Sequence, residues 1–212
     1  MPDNLSEELL VVKSQMAAFV DAQLKSTEDA LPSQHQRVRE ASKQAGFFFK
    51  TQPAEFGGSP ASALELTMLR EMLAATNSPL ASSVFGPGPG VLHAAEGTLR
   101  SHYLEPVLRG EKRGAFGFTE PDSAPRPTYA VVDGDDLLVT GIKSYVTGGA
   151  TADFVSILVN VEDADGGKLG TAMVAVDRLA SGVTIDREFS SMEGGGHVSM
   201  KFDQVRVSKE NV

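Results

Sequence analysis

Apolar residues recur at helical spacing over the first hundred positions of this chain and at strand spacing over the last hundred. Leu5, Leu9, Val12, Met16, Phe19 and Leu24 mark one face of a first helix. Ser33 with Gln36 has the form of a capping box and predicts a second helix running to about Ala45. Phe56-Gly57-Gly58-Ser59-Pro60 reads as a turn, after which Ser62 and Glu65 cap a third helix through about Thr76. Asn77-Ser78-Pro79 breaks it, and Phe85-Gly-Pro-Gly-Pro-Gly90 is too rich in glycine and proline for regular structure. Thr98 can cap a last helix that turns Leu99, Tyr103, Leu104, Val107 and Leu108 inward and ends at Gly110.

From there the period shortens. Strands are predicted over Gly114–Thr119, Thr128–Val132, Leu137–Thr147, Phe154–Val161, Thr171–Val176, Val183–Asp186 and His197–Phe202. Asp133-Gly134 and Asp165-Gly166-Gly167 sit where hairpin turns belong. Composition changes at the same place. Residues 1–112 hold 28 Ala and Leu against 12 Val, Ile and Thr, and residues 113–212 hold 14 against 24. Ala and Leu favour helix, whereas β-branched side chains favour a pleated surface. The expectation is therefore an α+β chain, with an N-terminal all-helical domain at 1–112 and a small antiparallel β-barrel or sandwich at 113–212.

Charge and chemistry narrow the function classes. A formal net charge of −9 repels polyphosphate and argues against nucleic-acid binding. The absence of cysteine removes disulfides, thiolate metal sites and cysteine nucleophiles. No apolar run approaches the roughly 20 residues of a membrane helix. The acidic N-terminus lacks the basic and apolar regions of a signal peptide, so a cytoplasmic location is expected. His35, His93, His102 and His197 make no metal-ligand spacing and read as surface or packing residues. Asp163-Ala-Asp165-Gly166 has the opening of a calcium loop without its closing glutamate, and reads better as a turn. The alternating prolines at Gly86, Gly88 and Gly90 remove the N–H donors a phosphate loop needs, and Gly194-Gly195-Gly196 reads as a strand entry. No serine-centred nucleophile elbow is present.

Two strand ends are more informative. In Gly114-Ala-Phe116-Gly-Phe118-Thr119-Glu120-Pro121, alternation puts Phe116 and Phe118 on one face. In Gly141-Ile-Lys143-Ser-Tyr145-Val146-Thr147-Gly148-Gly149 it pairs Tyr145 with Thr147. A ring beside a hydroxyl, next to glycines that admit close approach, suits a flat heteroaromatic ligand with a polar edge. An aromatic residue packed in a sheet core fits the same spacing.

Taken in order, these segments resemble the acyl-CoA dehydrogenase family of flavoenzymes over nearly the whole chain. Pro53-Ala54-Glu55-Phe56-Gly57-Gly58, Phe118-Thr119-Glu120-Pro121, Gly141 to Gly149 and Phe202-Asp203-Gln204-Val205-Arg206-Val207 each match a motif of that family. Leu69-Arg70-Glu71-Met72 and the run from Gly97 to Glu111 fall between them as expected. The resemblance implies FAD held by Phe116, Phe118 and Thr119 on one strand and by Tyr145, Val146 and Thr147 on the other. The Tyr145 ring would cover the flavin, and Thr147 would bond it near its reactive nitrogen. It also implies an acyl-CoA substrate, an electron-acceptor protein as a partner, and a homodimer or homotetramer.

Two departures stand out. Where the family has a serine near cofactor and substrate, a shortened Asp122-Ser123-Ala124-Pro125-Arg126-Pro127 offers Ser123. The family's glutamate base belongs to a helical bundle beyond the Val-x-Val strand, and residues 1–212 stop there. The expectation is a piece of a longer enzyme, inactive alone, with no catalytic base of its own. Two alternatives stay open: an acyl-CoA oxidase or flavin monooxygenase relative, and a naturally short flavin-binding or partner subunit without catalysis.

Overall fold

The structure is a computed structural model and describes residues 4–24, 31–190 and 196–212. By its internal contacts the chain forms two compact units, Met1–Gly88 and Pro89–Val212. The contacts thus divide before the composition does, and the last helical run belongs with the strands.

In the first unit, α1 (Glu7–Gln23) starts at Ser6, whose hydroxyl accepts from the Leu9 N–H at 3.3 Å. It buries Met16 and Phe19, and Leu24 is buried where it ends. α2 spans Pro32–Gln44 and begins earlier than the Ser33 cap predicted. Pro32 takes a first-turn position where a missing N–H costs nothing, and Gln34 Oε1 accepts from the Leu31 N–H at 2.7 Å. α3 (Ala63–Ala75) is capped as expected, with Ser62 Oγ accepting from the Glu65 N–H at 3.2 Å. Phe47, Val38, Met68, Leu69, Leu73, Leu80 and Val84 complete one core with α1. The turn between α2 and α3 needs its glycine pair: a Cβ on Gly58 would lie 2.0 Å from the Gln52 carbonyl oxygen, and Gly57 has φ +81°.

The second unit contains α4 (97–108), α-helical at Gly97–Leu99 and Glu105–Leu108 with a π turn at Arg100–Leu104 between them. Glu96, not Thr98, precedes the first turn. Pro106 cannot donate to the His102 carbonyl, which instead accepts from Lys112 Nζ at 2.9 Å. Tyr103 on this helix is buried against Phe154, donates to Asp177 Oδ1 at 3.2 Å and accepts from Asn211 Nδ2 at 3.0 Å. Burial first, then the Asp177 carboxylate, pushes its hydroxyl up to about 12.

Seven strands follow among the described residues: β1 (Gly114–Gly117), β2 (Tyr129–Asp133), β3 (Asp136–Thr147), β4 (Phe154–Glu162), β5 (Lys168–Asp177), β6 (Val183–Phe189) and β7 (His197–Ser208). β5 lies along one edge of β4; β1 and β2 share the other edge, followed by β3, β7 and β6. The β1–β4 and β2–β4 pairings are parallel and the rest antiparallel, so this half-barrel is mixed where purely antiparallel pairing was expected. Hairpin turns are legible in sequence and join only antiparallel neighbours; the parallel pairs arise between strands distant in sequence. Val139, Val146, Val155, Ile157, Val174, Val198, Met200 and Phe202 lie at the centre of the sheet's core.

Candidate functional site

The two candidate segments lie side by side. Beyond β1 the chain continues along β3, where the Ser144 N–H donates to the Thr119 carbonyl at 2.8 Å. Lys143 Nζ reaches the Phe118 carbonyl at 3.3 Å and Glu120 Oε1 at 2.7 Å. That same oxygen accepts from the Thr128 N–H at 2.8 Å, so one carboxylate holds both ends of the 120–128 loop. Burial pushes the Glu120 carboxyl up, but hydrogen bonds from Lys143 and from the Thr128 backbone and side chain together hold it below its ordinary value. Lys143 itself is 2% exposed.

Alternation alone would put Lys143 on the same face as Tyr145 and Thr147. A bulge prevents it. Lys143 pairs with Met200 and Val146 with Val198, so two β3 residues, Ser144 and Tyr145, oppose Ser199 alone. Tyr145 absorbs the extra residue at φ +56°, a strained setting for a bulky side chain. The outcome is that Lys143 points in and Tyr145 and Thr147 point out. Gly141 is required on the way: its φ is +152°, and a Cβ there would meet Thr128 Cα at 2.6 Å.

The outward surface carries rings in an unusual density. Phe116, Phe118 and Tyr145 are 45%, 58% and 60% exposed. Phe116 and Phe118 stack at 6.0 Å between centroids, and Tyr145 stacks on Phe189 of β6 at 4.8 Å. The Arg187 guanidinium lies over Phe189 at 4.9 Å, closing an Arg–Phe–Tyr ladder whose last member is Tyr145. Thr119 and Thr147 are exposed beside these rings, while Val146 is fully buried and turns into the core. Ser123 is exposed in a turn closed by the Ala124 N–H on the Pro121 carbonyl at 2.9 Å. Exposed apolar rings grouped in this way, with hydroxyls at their edge, mark a surface built to be covered.

Sequence reasoning missed four participants. Lys143 and Glu120 stood inside the motifs but carried no role, because the bulge that buries the lysine leaves no trace in the alternation. His197 read as a surface or packing residue, yet its Nδ1 lies 2.9 Å from Thr147 Oγ1. Phe189 lay beyond the predicted end of β6 and in fact pairs with His197 in register. The calcium-like segment is a turn: Asp163 Oδ1 accepts from the Asp165 and Gly167 N–H groups at 3.0 and 2.7 Å. Among the described residues no group of three or more His, Asp and Glu could hold a metal, and no helix is long and apolar enough to cross a membrane. Gly194 and Gly195 lie outside the described residues.

Helices followed by a β half-barrel is an architecture shared with solved acyl-CoA dehydrogenase structures. The probable acyl-CoA dehydrogenase of Mycobacterium abscessus superimposes with a TM-score of 0.73 at 26% identity, over 97% of this chain and 58% of that one. A glutaryl-CoA dehydrogenase of Mycobacterium smegmatis, solved in complex with FADH2, has the same fold at TM-score 0.69 and 23% identity, over 98% of this chain and 55% of its own. By sequence, the acyl-CoA dehydrogenase FadE12 of Mycobacterium tuberculosis is 32% identical over 172 residues, 76% of this chain and 44% of that protein. The acyl-CoA dehydrogenase N-terminal domain profile matches residues 6–111. The chain belongs to the acyl-CoA dehydrogenase family. It spans roughly half the length of these relatives.

Proposed function

We propose that the whole protein is an FAD-dependent acyl-CoA dehydrogenase and that the outward surface of β1 and β3 is its flavin face. The observation that carries this reading is the grouping of three half-exposed rings and two exposed threonines around a single bulge. A tricyclic ring system fits it: Phe118 and Tyr145 supply flat apolar contact, and Thr119 and Thr147 supply hydrogen bonds at the edge. Flavin bound there supplies the acceptor for the hydride leaving the β-carbon of an acyl thioester as its α-proton goes to a base.

The chain's own residues do the positioning. The Glu120–Lys143 pair fixes the carbonyls and turn that follow β1, and the bulge aims Tyr145 and Thr147 outward from an otherwise buried strand. Glu120 is a weak proton acceptor, because its Oε1 accepts from Lys143 and Thr128 and its carboxyl is held below its ordinary value. The base is therefore proposed to come from outside residues 1–212. Ser123 is proposed to face the substrate side of the same turn. The family membership and the FADH2 complex of the glutaryl-CoA dehydrogenase support the cofactor assignment.

The test is made on the product of the full gene. It should purify with a flavin absorbance band that bleaches when acyl-CoA is added. Tyr145→Ala and Thr147→Ala should each weaken flavin retention or shift that band. If both variants hold FAD as the parent does, with an unchanged spectrum, the assignment to this strand is wrong.

A further inference from the structure

His197 and Thr147 are direct cross-strand partners in the β3–β7 ladder. Their side chains meet at 2.9 Å through Nδ1 and Oγ1. The pair is held from every side. The next rung, Val146 with Val198, is buried, and the Gly148 N–H donates to the Gly196 carbonyl at 3.0 Å. On the far side His197 pairs with Phe189, whose ring stacks on Tyr145. The imidazole is half-buried and the hydroxyl exposed, so the threonine stands between the ring nitrogen and whatever covers the surface.

A threonine hydroxyl has one proton to give and lone pairs with which to accept. If it donates to Nδ1, its proton points at the imidazole and only lone pairs face outward. If Nδ1 carries the proton and donates to Oγ1, the hydroxyl proton is released to face the ligand. Which of the two holds is set by the histidine tautomer. Thr147 can then hydrogen-bond an acceptor atom of the ligand only in the second arrangement.

We propose that His197 is a positioning residue: its Nδ1–H donates to Thr147 Oγ1 and turns the threonine's hydroxyl proton outward, toward an acceptor nitrogen or oxygen at the edge of the flavin ring. This rests on the reading that Thr147 touches that ring. It adds a residue that no motif marked, and explains why a histidine at the start of β7 stands opposite the threonine that ends β3.

Two substitutions of similar size separate donor from acceptor at the Nδ1 position. His197→Asn keeps an N–H donor there, and His197→Asp offers only oxygen acceptors. In the full-length protein, His197→Asn should hold FAD within about twofold of the parent and keep its visible spectrum. His197→Asp should bind FAD at least tenfold more weakly, about 1.4 kcal/mol, and shift the flavin band. In a Thr147→Ala background the His197→Asp effect should vanish, since the histidine acts only through the threonine. Thermal melts confirm that the variants are folded before binding is compared. His197→Asp binding like the parent, Asn and Asp losing affinity equally, or an undiminished Asp effect without Thr147 would each overturn the proposal. Thr147→Ala alone distinguishes the levels. If it leaves affinity and spectrum unchanged, the site reading fails and this inference with it. If it weakens binding while His197→Asp does not, only the role of His197 is lost.

Discussion

Two bulges interrupt the ladder between β3 and β7, and they are built for different ends. The first lies in β7, where Val139 pairs with Val205 and Gly141 with Phe202, leaving Thr140 opposite both Asp203 and Gln204. Gln204 takes φ +49°, its side chain is exposed, and its N–H donates to the Thr140 hydroxyl at 3.2 Å. That bulge is complete in itself: it bends the sheet, satisfies the displaced donor, and shows solvent an amide. The second, at Tyr145, has nearly the same φ but turns out a half-exposed ring, buries a lysine next to it and sets a threonine against a histidine. Backbone strain is similar at the two sites, so strain alone does not mark function. What distinguishes the second is that its outward side chains remain uncovered and its inward ones form an ion pair whose loss is costly.

The largest test of that contrast is the ion pair. Removing one partner of a buried pair leaves an unmatched charge, and Glu120→Ala should cost about 3 kcal/mol in urea unfolding, the low end of the usual range because the carboxylate is 24% exposed. The double variant Glu120→Gln with Lys143→Met should recover much of that loss, since neither charge remains. A Glu120→Ala protein as stable as the parent would remove the pair from the account.

Gly141→Ala comes next. The new Cβ would press on the Thr128 backbone at a φ of +152°, and a loss of about 2 to 3 kcal/mol is expected in the same assay. Gly134→Ala, with φ +61° but nothing within 4 Å, serves as the control for the backbone contribution alone.

A third prediction concerns acid. The Glu120 carboxyl is held below its unfolded value, so its contribution is fully present above the ordinary carboxylate pKa and is lost as pH falls toward the folded one. Stability of the parent should therefore fall more steeply below about pH 4.5 than that of Glu120→Gln. Parallel curves would contradict the ion pair as the source. The smallest effect is expected at Gln204, where Gln204→Gly relieves a left-handed residue and should stabilise by up to about 1 kcal/mol, read as a small rise in Tm.

Much of this architecture was legible in the sequence, and the reasons are local. Ser62 with Glu65 and the Phe56-Gly57-Gly58 turn are features whose physics is complete within a few residues, and both took the expected form. What escaped depended on partners far along the chain. Parallel pairing of β1 and β2 with β4 has no turn to announce it. The Tyr145 bulge shifts alternation by one, so nothing local marks Lys143 as buried or Glu120 as its partner. His197 could be recognised only once β3 and β7 were in register. The outward rings at Phe116, Phe118 and Tyr145 came from motif and alternation together, and the Ser144–Thr119 hydrogen bond sets their two segments side by side.

The most direct test of the central claim compares the two bulges as flavin sites. FAD affinity of the full-length protein should be measured for Tyr145→Gly and Gln204→Gly, two changes that relax the same backbone strain. The account predicts that Gln204→Gly binds as the parent does, and that Tyr145→Gly binds at least tenfold more weakly, about 1.4 kcal/mol. Equal affinity for the two variants would contradict it, because the outward ring at the second bulge would then have no part in holding the cofactor.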